Sequence, residues 1–569
     1  MKKETSYLDI ASKIIETNQD LQASEKEDNE IDYKKENIEI NPELKELMEY
    51  ANRINDIIKL YDSRIFIEPE GDEGRSYDEE FNIFFDKIKD RIDEDLDITD
   101  DEYFKICSNK DQKITDEEYS EMCPTFVYRN MDKIDNEKLE KTRNDLEDFE
   151  KEISSKCKSE NVRKIIDELL LSSKAKINFY ISLKNGNDDE AFEQVKILHG
   201  EAENSLCESA NDVYKGKLKF FKDRPEKGEL EKKLENTRFN AQNIRTVFEL
   251  AIIEGGLSDG GYKVFIDKKV TNILVSTDRP GYDCPVVLIP PDADMNGLQL
   301  IRFVAHEIGR HVTTNIYNEK QGFSGAMGKG WDVVNEGISK RSETEVAKEI
   351  LGEEFYDFEI SAEPYYVLAM EKIRGEKNKN GEYENGWNYA KTFKYIYNLK
   401  LRETLYKNGY NILKERLNAT DIDDEKEAIK KEIEEIKKES KIIAIRIAEG
   451  VCLRTLKGFD PREGGKYNPK DKIYLEGEIK MLELEKAKSV KEFEEYLRLS
   501  RVDPEFVVYL IKMGAYTYKK GLQIAKDIAK KLWKDEELPI KETMQGNERY
   551  ELFLPYLSEF MKKYYKDEL

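Results

Sequence analysis

The sequence predicts a predominantly helical α+β chain, with a small β-sheet placed just ahead of one unusual helix. Three observations predict it. Apolar residues recur at helical spacing through the first half of the chain, short β-branched runs cluster between 264 and 289, and two of the three histidines fall together in His306-Glu307-Ile308-Gly309-Arg310-His311.

Residues 1–40 mix Lys, Glu, Asp and Asn with few apolar anchors, and this composition predicts a polar, disordered tail. From 41 to 245 the pattern is helical. Leu44, Leu47, Met48, Ala51 and Ile54 form one stripe and Phe81, Phe84, Phe85 and Ile88 another; Leu139–Ile153 and Val162–Ala175 follow, all reading as core. His199 has no ligand-type neighbour, so it reads as a capping or packing residue. The pattern changes near 245. Val264-Phe265-Ile266, Ile273-Leu274-Val275 and Val286-Val287-Leu288-Ile289, punctuated by Gly and Pro, predict a small sheet. Residues 246–480 read as one region around the histidine motif. Within it, 424–440 is a Lys/Glu-rich helical insertion with Ile429, Ile433 and Ile436 on one stripe, and 481–569 reads as a C-terminal helical region.

Composition narrows the function classes. The chain of 569 residues carries 120 acidic and 94 basic side chains, a formal net charge of -26, and no concentrated basic patch, which argues against a nucleic-acid partner. No window approaches a membrane span, and no signal-type apolar segment follows Met1. The terminal Lys566-Asp567-Glu568-Leu569 spells a retrieval signal, but without a signal segment it reads as coincidence. The six cysteines show no C-x-x-C spacing and are expected as reduced thiols in a cytoplasmic protein.

Two imidazoles with an acidic neighbour on a helix make a first-row metal site, most simply for one Zn²⁺ ion. In the familiar H-E-x-x-H arrangement the ligands stand four apart on one helix face and the Glu is the general base. Here they stand five apart. At about 100° per residue, a regular helix would separate the two rings by roughly 140° around its axis. One ion reaches both only if the turn widens to the i to i+5 form of a π-bulge. The spacing therefore predicts a wide or broken turn between His306 and His311, with Gly309 placed to tolerate it. Beyond a glycine-rich connection, Asn335-Glu336 offers Glu336 as third metal ligand, in a setting similar to the Asn-Glu-x-x-Ser of thermolysin-like enzymes. Two His, one Glu and a water leave a position open for chemistry. A chance His-Glu pair is the plain alternative, and a chain with 3 histidines makes that coincidence rare.

These motifs resemble those of the microtubule-associated tyrosine carboxypeptidase family, whose bacterial members carry a QEGLA motif. The family's H-E-I-G-T-H is matched by His306 to His311 and its Q-E-G-L-A by Asn335-Glu336-Gly337-Ile338-Ser339. Pro124-Thr125-Phe126-Val127-Tyr128, Leu198-His199-Gly200 and Lys470-Asp471-Lys472-Ile473-Tyr474-Leu475-Glu476-Gly477 match its flanking motifs in order. Departures are Arg310 for Thr, Asn335 for Gln, Ser339 for Ala, and Glu449 for an Arg within Arg446-Ile447-Ala448-Glu449-Gly450.

The resemblance implies a zincin-like metallopeptidase core and a metallocarboxypeptidase that removes Tyr or Phe from the C-terminus of a protein or peptide. His306, His311 and Glu336 would be the metal ligands and Glu307 the catalytic base. Arg446 and Lys470 are candidates to hold the substrate's terminal carboxylate, with Tyr474 as an oxyanion donor. The negative charge argues against acidic tubulin tails as substrate and favours another client. Two other readings stand beside this one: a non-catalytic regulatory or binding protein with a structural metal site, and a zinc endopeptidase.

Overall fold

The computed structural model describes residues 42–58, 70–71, 75–92, 115–127, 135–223, 228–254, 257–320 save 271, 278 and 280, 330–351, 362–380 and 383–486. The polar segment 1–40, Cys107, Tyr128, most of the glycine-rich connection and residues 487–569 lie outside them.

The stripes read from the sequence do become core. In α1 (Pro42–Ile58), Leu44, Leu47, Ala51 and Ile54 are buried, with Met48 at the margin. After β1 (Glu70–Gly71) comes α2 (Tyr77–Ile88), started by a reciprocal capping box: Ser76 Oγ accepts from Glu79 N at 3.3 Å and Ser76 N donates to Glu79 Oε2 at 2.8 Å. Then follow α3 (Asp116–Met122), β2 (Phe126–Val127), α4 (Asn136–Lys156), α5 (Glu160–Lys184), α6 (Asp188–His199) and α7 (Asn204–Asp223). Helices α1, α4, α5 and α6 share one core, in which Leu47, Leu139, Leu146, Ile165 and Ile166 are fully enclosed. Each such side chain contributes about 1.5–3 kcal/mol through burial. His199 closes α6, just before Gly200 turns the chain at φ 70°, a helix-end position.

Next come α8 (Glu229–Asn236), β3 (Arg238–Asn240) and α9 (Ala241–Glu254), then the predicted sheet. Strand β6 (Val286–Ile289) lies at its centre, parallel to β4 (Lys263–Ile266) and antiparallel to β5 (Leu274–Ser276). All four residues of β6 are buried because both its faces are covered. Val287 and Ile289 face α9 and the histidine segment, whereas Val286 and Leu288 pack with Val270, Phe265 and Tyr282. Strand β7 (Asp294–Asn296) pairs with β3 and leads into α10 (Gly297–Phe303), where Asn296 and Gln299 form a second capping box. Helix α11 (Thr313–Lys320) and α12 (Trp331–Leu351) come next, the latter packed along the histidine segment.

A second helical core joins α13 (Tyr365–Arg374), α14 (Tyr389–Lys407) and α16 (Asp423–Thr455) to α2, α3 and α7. Between them lie the hairpin β8 (Glu376–Lys377) with β9 (Tyr383–Glu384) and the short α15 (Tyr410–Ala419). Phe84 meets Tyr389 and Phe393 edge-on at 5.1 and 5.0 Å. The charged stretch 424–440 is the first half of the single 33-residue helix α16. Its Ile429 and Ile433 are buried in this core, and Lys430–Glu427 and Lys437–Glu434 pairs decorate its outer side. The five described cysteines are free thiols, and no described helix is long and apolar enough to cross a membrane.

The last helix, α17 (Ile473–Lys486), crosses α12 with backbones in contact. A Cβ on Gly337 would lie 2.4 Å from Gly477 C, and one on Gly477 would lie 2.1 Å from Val333 O. Only hydrogen fits at either position. Gly477→Ala is expected to cost about 1–3 kcal/mol by forcing the helices apart. Gly450→Ala, at a helical site where a Cβ meets nothing within 4 Å, is expected to stabilise by about 0.5–1 kcal/mol. Urea unfolding of both variants measures the difference; equal stabilities would show that the crossing is not tight.

Candidate metal centre

Residues Val304–Val312 form a π-helix, the widened turn that the histidine spacing predicts. It brings the rings of His306 and His311 to 4.7 Å between centroids, nearly perpendicular at 79°. His306 and Glu307 are each 7% exposed, because the π segment is wedged between the sheet and α12.

Helix α12 supplies the third group. Glu336 Oε2 lies 3.3 Å from His306 Nε2, and its Oε1 lies 3.5 Å from His311 Nε2. One ligand atom from each of the three residues falls within 4.8 Å of the others, the one such grouping among the described residues. Glu336 Oε2 is enclosed, with His306 Nε2 3.3 Å away, and a buried carboxylate so placed is costly unless a cation meets it. Two imidazoles and a carboxylate fit zinc's ordinary donor set. These three residues could hold a metal ion.

The outer contacts orient the ligands. Glu343, two turns beyond Glu336 on α12, places Oε1 2.7 Å from His306 Nδ1. Its Oε2 accepts from Arg302 at 2.6 Å, and Lys340 Nζ donates to Oε1 at 2.8 Å. Glu343 thereby fixes the Nδ1–H tautomer of His306 and leaves Nε2 facing Glu336. At His311 the partner is Asn335, whose Nδ2 stands 2.9 Å from Nδ1. With Nδ2 there, Nδ1 accepts and the ring proton sits on Nε2; turning the amide over presents Oδ1 to an Nδ1–H and frees Nε2 as a ligand.

Electrostatics reflect this crowding of acids around imidazole. For His306, burial opposes the charged form, but contacts with Glu336 and Glu343 outweigh it and raise the ring to about 10. Glu336 is held at about 2, burial being overcome by the neighbouring imidazoles, His311 first. Glu343 lies well below the usual carboxylate range, burial being outweighed by Lys340 and Arg302. Glu307 goes the other way: burial first, then the charges of Glu336 and Glu343, raise it to about 7 against the pull of His306. Three acids on one site thus divide into two that stay ionised and one poised near neutrality.

Arg310 is buried and donates from Nε to Ser342 Oγ at 2.5 Å, tying the π segment to α12. Ser339 is fully buried and bonds back to Asn335 O at 2.8 Å, holding the turn that carries Asn335. Both side chains are accommodated by this helix pair.

The remaining sequence candidates separate. Tyr474, one turn before Gly477 on α17, lies in the field of Glu336, and its phenol is pushed well up by burial first and Glu336 next. Arg446 is exposed on α16. Lys470 sits half-buried in the turn Pro469–Lys472, its backbone N–H taken by Asn468 Oδ1. Arg454, two turns further along α16, donates to Tyr474 Oη at 3.4 Å. Sequence reasoning passes over both Glu343 and Arg454. The spacing from Glu336 to Glu343, seven residues and so the same helix face, is the signal that finds the first. Comparison of the chain with protein-family models, curated proteins and solved structures returns no match.

Zinc is expected to stabilise the fold through these residues. At a free concentration one hundred times its Kd, the gain is about 2.7 kcal/mol. Thermal unfolding with and without Zn²⁺ checks it: the rise in Tm should vanish in the His306→Ala/His311→Ala variant, and a rise that survives places the ion elsewhere.

Proposed function

We propose that the protein is a zinc metallopeptidase acting as a carboxypeptidase on a protein or peptide C-terminus. The observation that carries this reading is the convergence of His306, His311 and Glu336 beside a further buried carboxylate, Glu307, which is not among the ligand group. A purely structural site has no use for that group. When bound, Zn²⁺ would lower the pKa of a water toward 7 and polarise the scissile carbonyl. Glu307 accepts a proton from the attacking water and returns it to the leaving amine, a task for which a carboxyl near neutrality is suited in both directions. The Tyr474 phenol stays protonated and so remains a hydrogen-bond donor beside the ligand group. Edge strand β5 lies against the π segment, and no described strand pairs with its outer side, where an extended peptide would add. This arrangement is what a zincin-like core provides. The preference for a C-terminal Tyr or Phe rests on the resemblance of the two histidine-site motifs.

The test is mass spectrometry of peptides ending in Tyr, Phe, Leu or Lys after incubation with zinc-loaded protein. Loss of a single C-terminal aromatic residue supports the reading. Intact peptides with zinc bound would favour a regulatory protein, and internal cleavage an endopeptidase.

A further inference from the structure

Arg454 is held in a manner that leaves hydrogen-bond donors pointing away from it. Its Nε and Nη2 grip the buried Asp471 at 2.9 and 2.5 Å, a bidentate pairing that fixes the guanidinium plane. Nη1 donates to Tyr366 Oη at 3.2 Å and Nη2 to Tyr474 Oη at 3.4 Å. Of the five N–H groups, one on Nη1 is left over. Each phenol oxygen accepts from the guanidinium, so its own hydrogen must point elsewhere, and no described residue accepts it.

Three donors therefore share one small region. The guanidinium carbon lies 5.1 and 5.8 Å from the Tyr366 and Tyr474 ring centres, and the rings are 6.4 Å apart. Burial raises both phenols, Tyr366 to about 12, so both keep their protons at neutral pH. The Arg454 side chain is 36% exposed, so the region opens to solvent. Asp471 cancels the charge of Arg454, and what attracts an anion is then the set of directed donors together with Lys340, whose ammonium lies 6.0 Å from the Tyr474 ring centre. The position is adjacent to the metal ligands, since Tyr474 precedes Gly477 by one turn and Gly477 touches Gly337, the residue after Glu336.

We propose that Arg454, Tyr366 and Tyr474 form a seat for the α-carboxylate of a peptide, so that the last peptide bond is the one presented to Glu307. The seat rests on the metallopeptidase reading and specifies its exopeptidase form. It gives Asp471 a positioning role, since that carboxylate holds the guanidinium without touching the ligand. A planar guanidinium with two flanking hydroxyls matches a carboxylate better than a single ammonium would.

The test is equilibrium binding, measured by fluorescence anisotropy with the zinc-loaded Glu307→Gln variant. Two labelled peptides ending in Tyr are compared, identical except that one carries a free carboxylate and the other a terminal amide. The free acid is expected to bind roughly tenfold or more tightly. Adding Arg454→Met with Asp471→Asn, which removes both charges together, should bring that ratio close to one. If this variant does not fold, Tyr366→Phe serves, as it removes a hydroxyl while keeping the ring, and it should reduce the ratio several-fold. Equal binding of acid and amide by the parent, no binding of either, or an unchanged ratio in a folded variant overturns the seat. Cleavage by the unmodified protein is scored separately. A binding preference without cleavage keeps the seat and sinks the peptidase reading, whereas cleavage without a preference does the reverse.

Discussion

Glu307→Gln is expected to lower peptide hydrolysis by a factor of about 10²–10⁴, the usual contribution of a positioned acid–base group. Metal content should not change. Glu307 is next to His306 in sequence but is not one of the three groups that converge, so an uncharged isostere leaves His306, His311 and Glu336 in place. The amide keeps the shape of the buried side chain and loses only the capacity to take a proton. This separation is what distinguishes the readings. In an enzyme, elemental analysis shows wild-type zinc while turnover collapses. In a protein whose metal is structural, the substitution leaves every functional readout untouched. A variant that loses zinc and turnover together would instead place Glu307 among the ligands.

The features legible in the sequence were those set by local spacing. Two histidines five positions apart cannot share an ion on a regular turn, and the π-helix at Val304–Val312 answers that constraint. The run Val286–Ile289 is apolar without alternation because it is the covered central strand, and Asn296 with Gln299 announces the helix that follows. What escaped reading depends on contacts between distant segments. Arg454 and Asp471 are seventeen residues apart, and nothing in either neighbourhood marks one as the partner of the other. Arg446 has the same local character as Arg454, yet eight residues of helix separate an exposed position from one at the site. The Lys/Glu pattern of 424–440 gives the outer side of α16 correctly but does not reveal that Ile429 and Ile433 sit in the main helical core. The flanking motif Lys470–Gly477 turns out to hold three separate devices: Asp471 on Arg454, Tyr474 beside Glu336, and Gly477 at the crossing with α12.

The second large effect is expected at Glu343, a residue that touches no ion. Glu343→Ala should weaken zinc affinity by about 10–100-fold, the usual cost of removing a carboxylate behind a histidine ligand. Three changes act together. His306 loses the acceptor that holds its proton on Nδ1, so its other nitrogen is no longer fixed as the ligand atom. Arg302 and Lys340, now without their shared carboxylate, leave two cations near a site that must attract a third. Competition with a chelator of known affinity measures the loss directly and does not depend on any substrate. Glu343→Gln can still accept from Nδ1 while lacking the charge, so its affinity should fall between wild type and Glu343→Ala. If Gln matches wild type, orientation of the ring is the whole effect; if it matches Ala, the charge that offsets Arg302 and Lys340 is what the metal needs.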